Sequence, residues 1–250
     1  GEKVVIRILD SKNAILSLFV ERTLMLQAPF LDLLAREYDS GVHQVDFKQA
    51  FEPARMEIND WVAGETKDRI QDLLPDGSVN ASTRIVLVNA LYFYGSWRAP
   101  FAHELTRDAA FHALSGEVQV PTMRGQMTLD YASHDQFAVA ELPYEGGALR
   151  MTIVLPAPGK FESARSQVSN AWLEQALTGV TPTLLELALP KFKMTVGTFS
   201  LKSALNELGM KSAFDPSADL SGMFAGGGLY LGDVVQKAFI SVDEEGTEAA

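Results

Sequence analysis

Apolar positions change their period several times along this chain, and each change marks an element. Ala14 to Val20 reads as a short strand and Val42 to Phe47 alternates as a strand should, while Phe30, Leu33, Leu34 and Tyr38 share one helical stripe within Pro29 to Ser40, with Gly41 as its stop. A second helix is expected over Pro53 to Ala63, with the proline in its first turn, Ile58, Trp61 and Val62 inward, and Arg55, Glu57 and Asp60 outward. Arg84 to Tyr94, RIVLVNALYFY, is the most hydrophobic run in the chain. Its lack of alternation predicts a strand covered on both faces, with Asn89 as a buried amide that must find partners. Strands are then expected at Phe111-His112, Val118 to Met123, Phe137 to Tyr144 and Leu149 to Leu155, followed by two helical patches, one from Phe161 and one around Trp172 to Leu177. Leu184 to Leu189 returns to strand. Phe199 to Leu208 reads as a helix with Leu201, Ala204, Leu205 and Leu208 on one face and Gly209 at its end.

The last stretch changes character within a few residues. Val234 to Val242 is a strand apolar on both faces; Asp243, Glu244 and Glu245 then put three acids in a row, Gly246 supplies a hinge, and Thr247-Glu248-Ala249-Ala250 follows with mostly small side chains. Such a segment can continue as strand or leave the sheet. If it enters a sheet, parity decides the outcome: with Thr247 and Ala249 inward, small groups are buried and Glu248 stays in water, whereas the opposite register buries a carboxylate at a cost of several kcal/mol.

Composition narrows the chemistry. The 250 residues are 47% hydrophobic and 21% charged, which suits a soluble globular protein. A formal net charge of −11 argues against nucleic acid as a partner, because a phosphate-binding face needs clustered Lys and Arg. No apolar run is long enough to span a bilayer, and the first residues lack the basic, apolar and small-residue succession of a signal peptide. Cysteine is absent, which removes disulfides, thiolate metal sites and a thiol nucleophile. No catalytic or phosphate-binding signature is present, and His43, His103, His112 and His134 are scattered without paired metal spacing. No catalytic residue, metal or cofactor is therefore assigned. Gly226-Gly227-Gly228 precedes a strand and reads as a turn, and Asn80-Ala81-Ser82 fits a glycosylation sequon to which no function is attached.

Several spacings together resemble one family. Asn89, Phe93, Gly95, Trp97 and Phe101 stand in the pattern N-x-x-x-F-x-G-x-W-x-x-x-F; Leu189-Pro190-Lys191-Phe192 gives an LPKF motif; Leu208-Gly209-Met210, Phe214 and Asp219-Leu220-Ser221-Gly222 follow; and Val234 to Ala250 is similar to a reactive-loop hinge. These motifs, in this order, resemble the serpins, the serine protease inhibitor fold. The resemblance implies an α+β fold with a large central β-sheet, helices packed on it and further smaller sheets, the chain forming a single domain over residues 1–250 that is incomplete at both ends.

It also implies a function and a set of sites. An inhibitory serpin acts as a suicide substrate of serine or cysteine endopeptidases: the protease cuts an exposed loop, the hinge folds back, and the loop enters the sheet carrying the acylated enzyme. The hinge would be Glu244, Glu245, Gly246, Thr247, Glu248, Ala249 and Ala250. The breach, where the loop first enters, would hold Trp97 and an ion pair between Lys191 and Glu244. The shutter beneath would hold Asn89 and Gln236, the latter where many serpins carry histidine, so a shutter that titrates near neutral pH is not expected. The partner implied is a serine-type protease held covalently by an otherwise monomeric, extracellular protein, with no nucleic acid or membrane partner. The alternative is a non-inhibitory serpin acting as carrier, chaperone or storage protein, whose hinge tends to carry bulky, charged or proline residues. Thr247 and Ala249 fit insertion instead.

Overall fold

The structure is a computed structural model that describes residues 4–5, 14–38 and 41–250. In chain order its strands begin with β1 (Val4–Val5), β2 (Ala14–Glu21), β3 (Gly41–Val45), β4 (Ile85–Leu91), β5 (Phe93–Ser96) and β6 (Arg107–Ala113). They continue with β7 (Gly116–Ser133), β8 (Phe137–Pro143), β9 (Arg150–Pro156), β10 (Thr181–Pro190), β11 (Phe192–Ser200), β12 (Val235–Val242) and β13 (Gly246–Ala249). The α-helices are α1 (Ala28–Tyr38), α2 (Phe47–Glu65), α3 (Phe161–Gln167), α4 (Asn170–Ala176) and α5 (Lys202–Glu207). The described residues divide into two compact units, one made of residues 4–5, 94–193 and 241–248, the other of residues 14–38, 41–93, 194–240 and 249–250.

The second unit contains a three-stranded sheet in the order β3-β2-β4, parallel between β2 and β3 and antiparallel between β2 and β4. Leu18, Phe19 and Val20 are all buried on β2. Phe19 packs with Ile58 and Val62 of α2 and with Val45 and Val88, while Leu18 and Val20 pack with Leu34 of α1. The strand covered on both faces is thus β2. On β4, where the sequence predicted it, an edge position leaves Leu87 59% exposed and Asn89 exposed as well, so Asn89 is not the buried amide expected. Gly41 opens β3 instead of stopping the helix before it, Leu33 is exposed, and Ser40 and the side chain of Tyr38 lie outside the described residues.

Helix α2 begins six residues before Pro53. The Asp46 carboxylate accepts from the Gln49 amide and caps a first turn, the backbone then breaks at Ala50 (φ −137, ψ 51), and Pro53 follows in the first turn of the main segment. Arg55 does not face solvent as predicted. Its side chain is 11% exposed and bonds Glu52 at 2.9 Å, Asp76 at 2.7 Å and the Leu74 carbonyl at 2.8 Å. Asn59, buried beside it, donates to the Leu74 carbonyl and accepts from the Leu74 amide, each at 2.9 Å. Replacing Asn59 with alanine leaves the Leu74 carbonyl with Arg55 but strands the Leu74 amide away from water, and denaturant unfolding of Asn59→Ala should show a loss of about 2 kcal/mol. A loss below ~0.5 kcal/mol would mean that water reaches Leu74.

Helix α5 is shorter than the expected span, because Phe199 and Ser200 complete β11; Leu208, expected on its inner face, is 83% exposed. Gly209, with φ +100, closes it as predicted. Of the three consecutive glycines, Gly226 lies in a turn with Ala225, and Gly227 donates its N–H to the Phe224 carbonyl at 3.4 Å.

In the first unit a six-stranded sheet runs β1-β9-β8-β7-β10, with β6 also paired to β7. The predicted strand from Val118 is the first part of an 18-residue strand that partners β6 up to Thr122, β10 from Thr122 to Tyr131 and β8 from Asp130 to Ser133. At Gly125 an added Cβ would lie 2.9 Å from the Met127 methyl, the movable end of a flexible side chain, and 3.4 Å from the Phe101 ring. A further sheet has the order β11-β12-β13-β5.

Candidate functional site

The acidic run after β12 makes a reversal. Asp243 donates its backbone N–H to the Gly246 carbonyl at 3.1 Å, and its carboxylate accepts from the Glu245 and Gly246 amides at 3.0 and 3.2 Å. The Asp243 carbonyl accepts from the indole Nε1 of Trp97 at 2.9 Å, while the residue's carboxylate caps the reversal, in which Glu244 and Glu245 form the turn. Further along, Phe239 and Ala250 exchange both backbone hydrogen bonds at 2.7 and 3.0 Å, as an antiparallel pair does. The segment that could have left the sheet instead turns back into it as β13, between β12 and β5.

Beside β5 the backbones come very close. A Cβ built on Gly246 would lie 2.0 Å from the Gly95 carbonyl oxygen and 3.0 Å from Ser96 Cα, so no larger residue fits in this register. Thr247 is 1% exposed, while Glu248 and Ala249 are half-buried. The expected parity thus places Thr247 inward, but Ala249 is not enclosed.

Trp97 fixes this end of the strand. It is buried, donates its backbone N–H to the Glu245 carbonyl at 2.8 Å, and stacks on Tyr144 at 4.8 Å and 11°. Burial pushes the Tyr144 hydroxyl up to about 12, against the opposing pull of the neighbouring Thr247 hydroxyl, so it stays protonated across ordinary pH.

The carboxylate of Glu244 is 3% exposed. Lys191 Nζ lies 2.6 Å from its Oε2 and Thr106 Oγ1 donates to its Oε1 at 2.8 Å. Burial favours the neutral acid, but the Lys191 ammonium, the residue's own N–H and Thr106 together hold the carboxyl down at about 2. Lys191 is placed by its backbone N–H, which donates to the Pro121 carbonyl at 2.8 Å, and the Phe101 amide donates to the Glu244 carbonyl at 3.0 Å. His103, read from the sequence as one of four scattered histidines, faces both turn carboxylates, with Nδ1 3.6 Å from Glu244 and Nε2 3.3 Å from Glu245.

The family description "Serpin (serine protease inhibitor)" matches residues 10–250. The chain belongs to the serpin family. It is 39% identical over 243 residues to an uncharacterized serpin-like protein of Thermococcus kodakarensis, covering 97% of this chain and 55% of that protein. To leukocyte elastase inhibitor of Xenopus tropicalis it is 38% identical over 242 residues, covering 93% of this chain and 64% of the inhibitor. A solved loop-inserted structure of a cleaved ovalbumin mutant matches with a TM-score of 0.90 at 28% identity, over 94% of this chain and 63% of the other. This serpin chain spans 55% to 64% of the length of these curated relatives.

Trp97, Lys191 and Glu244, which the resemblance assigned to the breach, come together in one unit, joined by Tyr144, Thr106 and His103, which the sequence did not single out. Gln236 and Asn89, predicted to meet at the shutter, are both exposed, and among the described residues no hydrogen bond joins them. Among those residues there is also no His, Cys, Asp and Glu cluster that could hold a metal ion, and no helix long and apolar enough to cross a membrane.

Proposed function

We propose that this serpin inhibits serine or cysteine endopeptidases as a suicide substrate. The observation that carries the reading is the hinge lying in the sheet: Gly246 fits a slot against Gly95 that admits no side chain, and Thr247 is buried beside Tyr144. A hinge that accepts this register allows the loop beyond Ala250 to follow as strand. In the reaction, the protease's own nucleophile attacks the loop carbonyl, the peptide bond breaks, the new amino terminus departs, and an acyl ester or thioester remains. Insertion then carries the acyl group away before water can hydrolyse it, a kinetic trap and not a tight reversible complex. This chain contributes the hinge and the breach; the acyl chemistry belongs to the enzyme. Similarity to an elastase inhibitor supports the protease as partner.

The test uses the complete protein with a panel of trypsin-like, chymotrypsin-like and subtilisin-like proteases. A complex that survives boiling in detergent, with a large rise in thermal midpoint on loop cleavage, is expected. Cleavage without either would move the function to a non-inhibitory serpin. Within the same assay, Thr247→Arg should convert the inhibitor to a substrate, because it forces a guanidinium into a site that is 1% exposed. Undiminished complex formation by that variant would remove Thr247 from the inserting strand.

A further inference from the structure

We propose that His103 is a second, proton-dependent latch on the hinge, adding to the Lys191–Glu244 pair a tie that closes only on acidification. The proposal builds on the inserted position of the hinge and concerns how firmly that position is held.

The geometry carries it. The imidazole sits in the turn spanning His103–Leu105, with its Nε2 3.3 Å from Glu245 Oε1 and its Nδ1 3.6 Å from Glu244 Oε2. A neutral imidazole has one N–H and one lone pair. If it donates to Glu245, it turns the lone pair toward the Glu244 carboxylate. Only the doubly protonated ring presents an N–H to both acids. The two carboxylates it faces belong to the two turn residues between β12 and β13, so a cation here holds the turn from both sides.

The surrounding charges leave room for that cation. Lys191 Nζ is 2.6 Å from the same Oε2 of Glu244 and Thr106 satisfies the other oxygen. Glu104, on the same turn, adds a further acid, and Arg107 directs its guanidinium to the backbone carbonyls of Glu104 and Thr106, not to the two hinge acids. Two carboxylates at the turn are thus met by one ammonium, and a charged His103 supplies the second positive group. Glu244, held at about 2, remains an anion throughout the range in which an imidazole changes charge.

The direction follows from these contacts. The tie exists while the ring carries both protons and is lost when it gives one up, so acid favours it and base removes it. His103 has a side chain 65% exposed, so water and salt weaken the contact, and its effect belongs with exposed ion pairs.

The experiment is hydrogen exchange on the complete protein after loop cleavage, read at the amides of Trp97, Phe101 and Gly246, each as protection relative to its intrinsic rate. The first two bond the Glu245 and Glu244 carbonyls and the third the Asp243 carboxylate, so all three report opening of the turn. Wild type should gain about two- to fivefold in protection between about pH 8 and about pH 5.5. His103→Gln should stay at the level wild type shows at high pH, and His103→Lys should keep the acid level at both, since its cation does not depend on pH in this range. The same pH response in His103→Gln, or a flat wild-type profile, would overturn the proposal. The readout needs no protease. Failure to trap an enzyme alongside an intact pH response would therefore count against inhibition and leave the latch in place.

Discussion

Under the proposed inhibitory function, Gly246→Ala is expected to turn the complete protein from an inhibitor into a substrate, raising the stoichiometry of inhibition by at least about tenfold. The added methyl would stand 2.0 Å from the carbonyl oxygen of Gly95 and 3.0 Å from Ser96 Cα. Both are backbone atoms of β5, so no rotamer change relieves the overlap; either β5 moves or the first rung of β13 does not form. Trapping is a race between insertion and hydrolysis of the acyl bond. A delay in the first rung therefore sends turnover toward release of free enzyme and cleaved serpin. Two measurements read this: moles of inhibitor consumed per mole of enzyme, and the thermal midpoint after cleavage, which should lose much of its rise. Unchanged stoichiometry would show that β5 gives way and that the close approach to Gly95 does not gate insertion.

Acid should weaken the breach through Glu244 in a defined window. Its folded carboxyl is held down at about 2 against an ordinary value of 4.5. For a depressed acid, the stabilisation is fully present above the unfolded value and disappears as pH falls toward the folded one. The window thus lies between about pH 5 and about pH 2, and the full shift corresponds to about 3 kcal/mol. Lys191 is 41% exposed, so solvent screening reduces its share, and about 2 kcal/mol is the expected measured difference. Denaturant midpoints of wild type and Glu244→Gln across pH 6 to about 2.5 should converge as the carboxylate is lost. Parallel profiles would mean that the pair contributes nothing to equilibrium stability.

What the sequence revealed divides by distance along the chain. The change of character at Gly246 was legible because its causes are local: an acidic run, a glycine and then small residues at alternating positions. In the sequence, the course of the chain beyond it stays open between continuing as strand and leaving the sheet. The Lys191–Glu244 contact joins residues far apart in sequence, and only the matched motifs brought them to one place. Periodicity alone misassigned the double-sided strand. The eleven residues from Arg84 to Tyr94, nine of them apolar, read as buried on both faces, yet it is β2, carrying Ser17 and ending in Glu21, that lies centrally, with Leu18 and Phe19 directed to opposite clusters. Neighbour order in a sheet is set by connections that no apolar count records. The early start of α2 was hidden for a different reason: Pro53 is a good first-turn signal, and nothing in Phe47 to Glu52 announces a capped turn that breaks at Ala50. Tyr144 and His103 carry no local signature at all. Their roles come from facing Thr247 and the two turn acids across a fold that the chain itself builds.

In the proposed mechanism, the turn at Glu244–Glu245 also fixes the order in which insertion can happen. Only two residues separate the rung at Asp243 and Gly246 from itself across the reversal, so closing it orders very little chain. Each later rung, down to the exchange between Phe239 and Ala250, then adds to an existing pair and closes no new loop. Strand joining is consequently a zipper with one permitted origin. A fault near Gly246 stops every rung behind it, whereas the same fault at Ala250 leaves the earlier rungs formed and the strand partly seated.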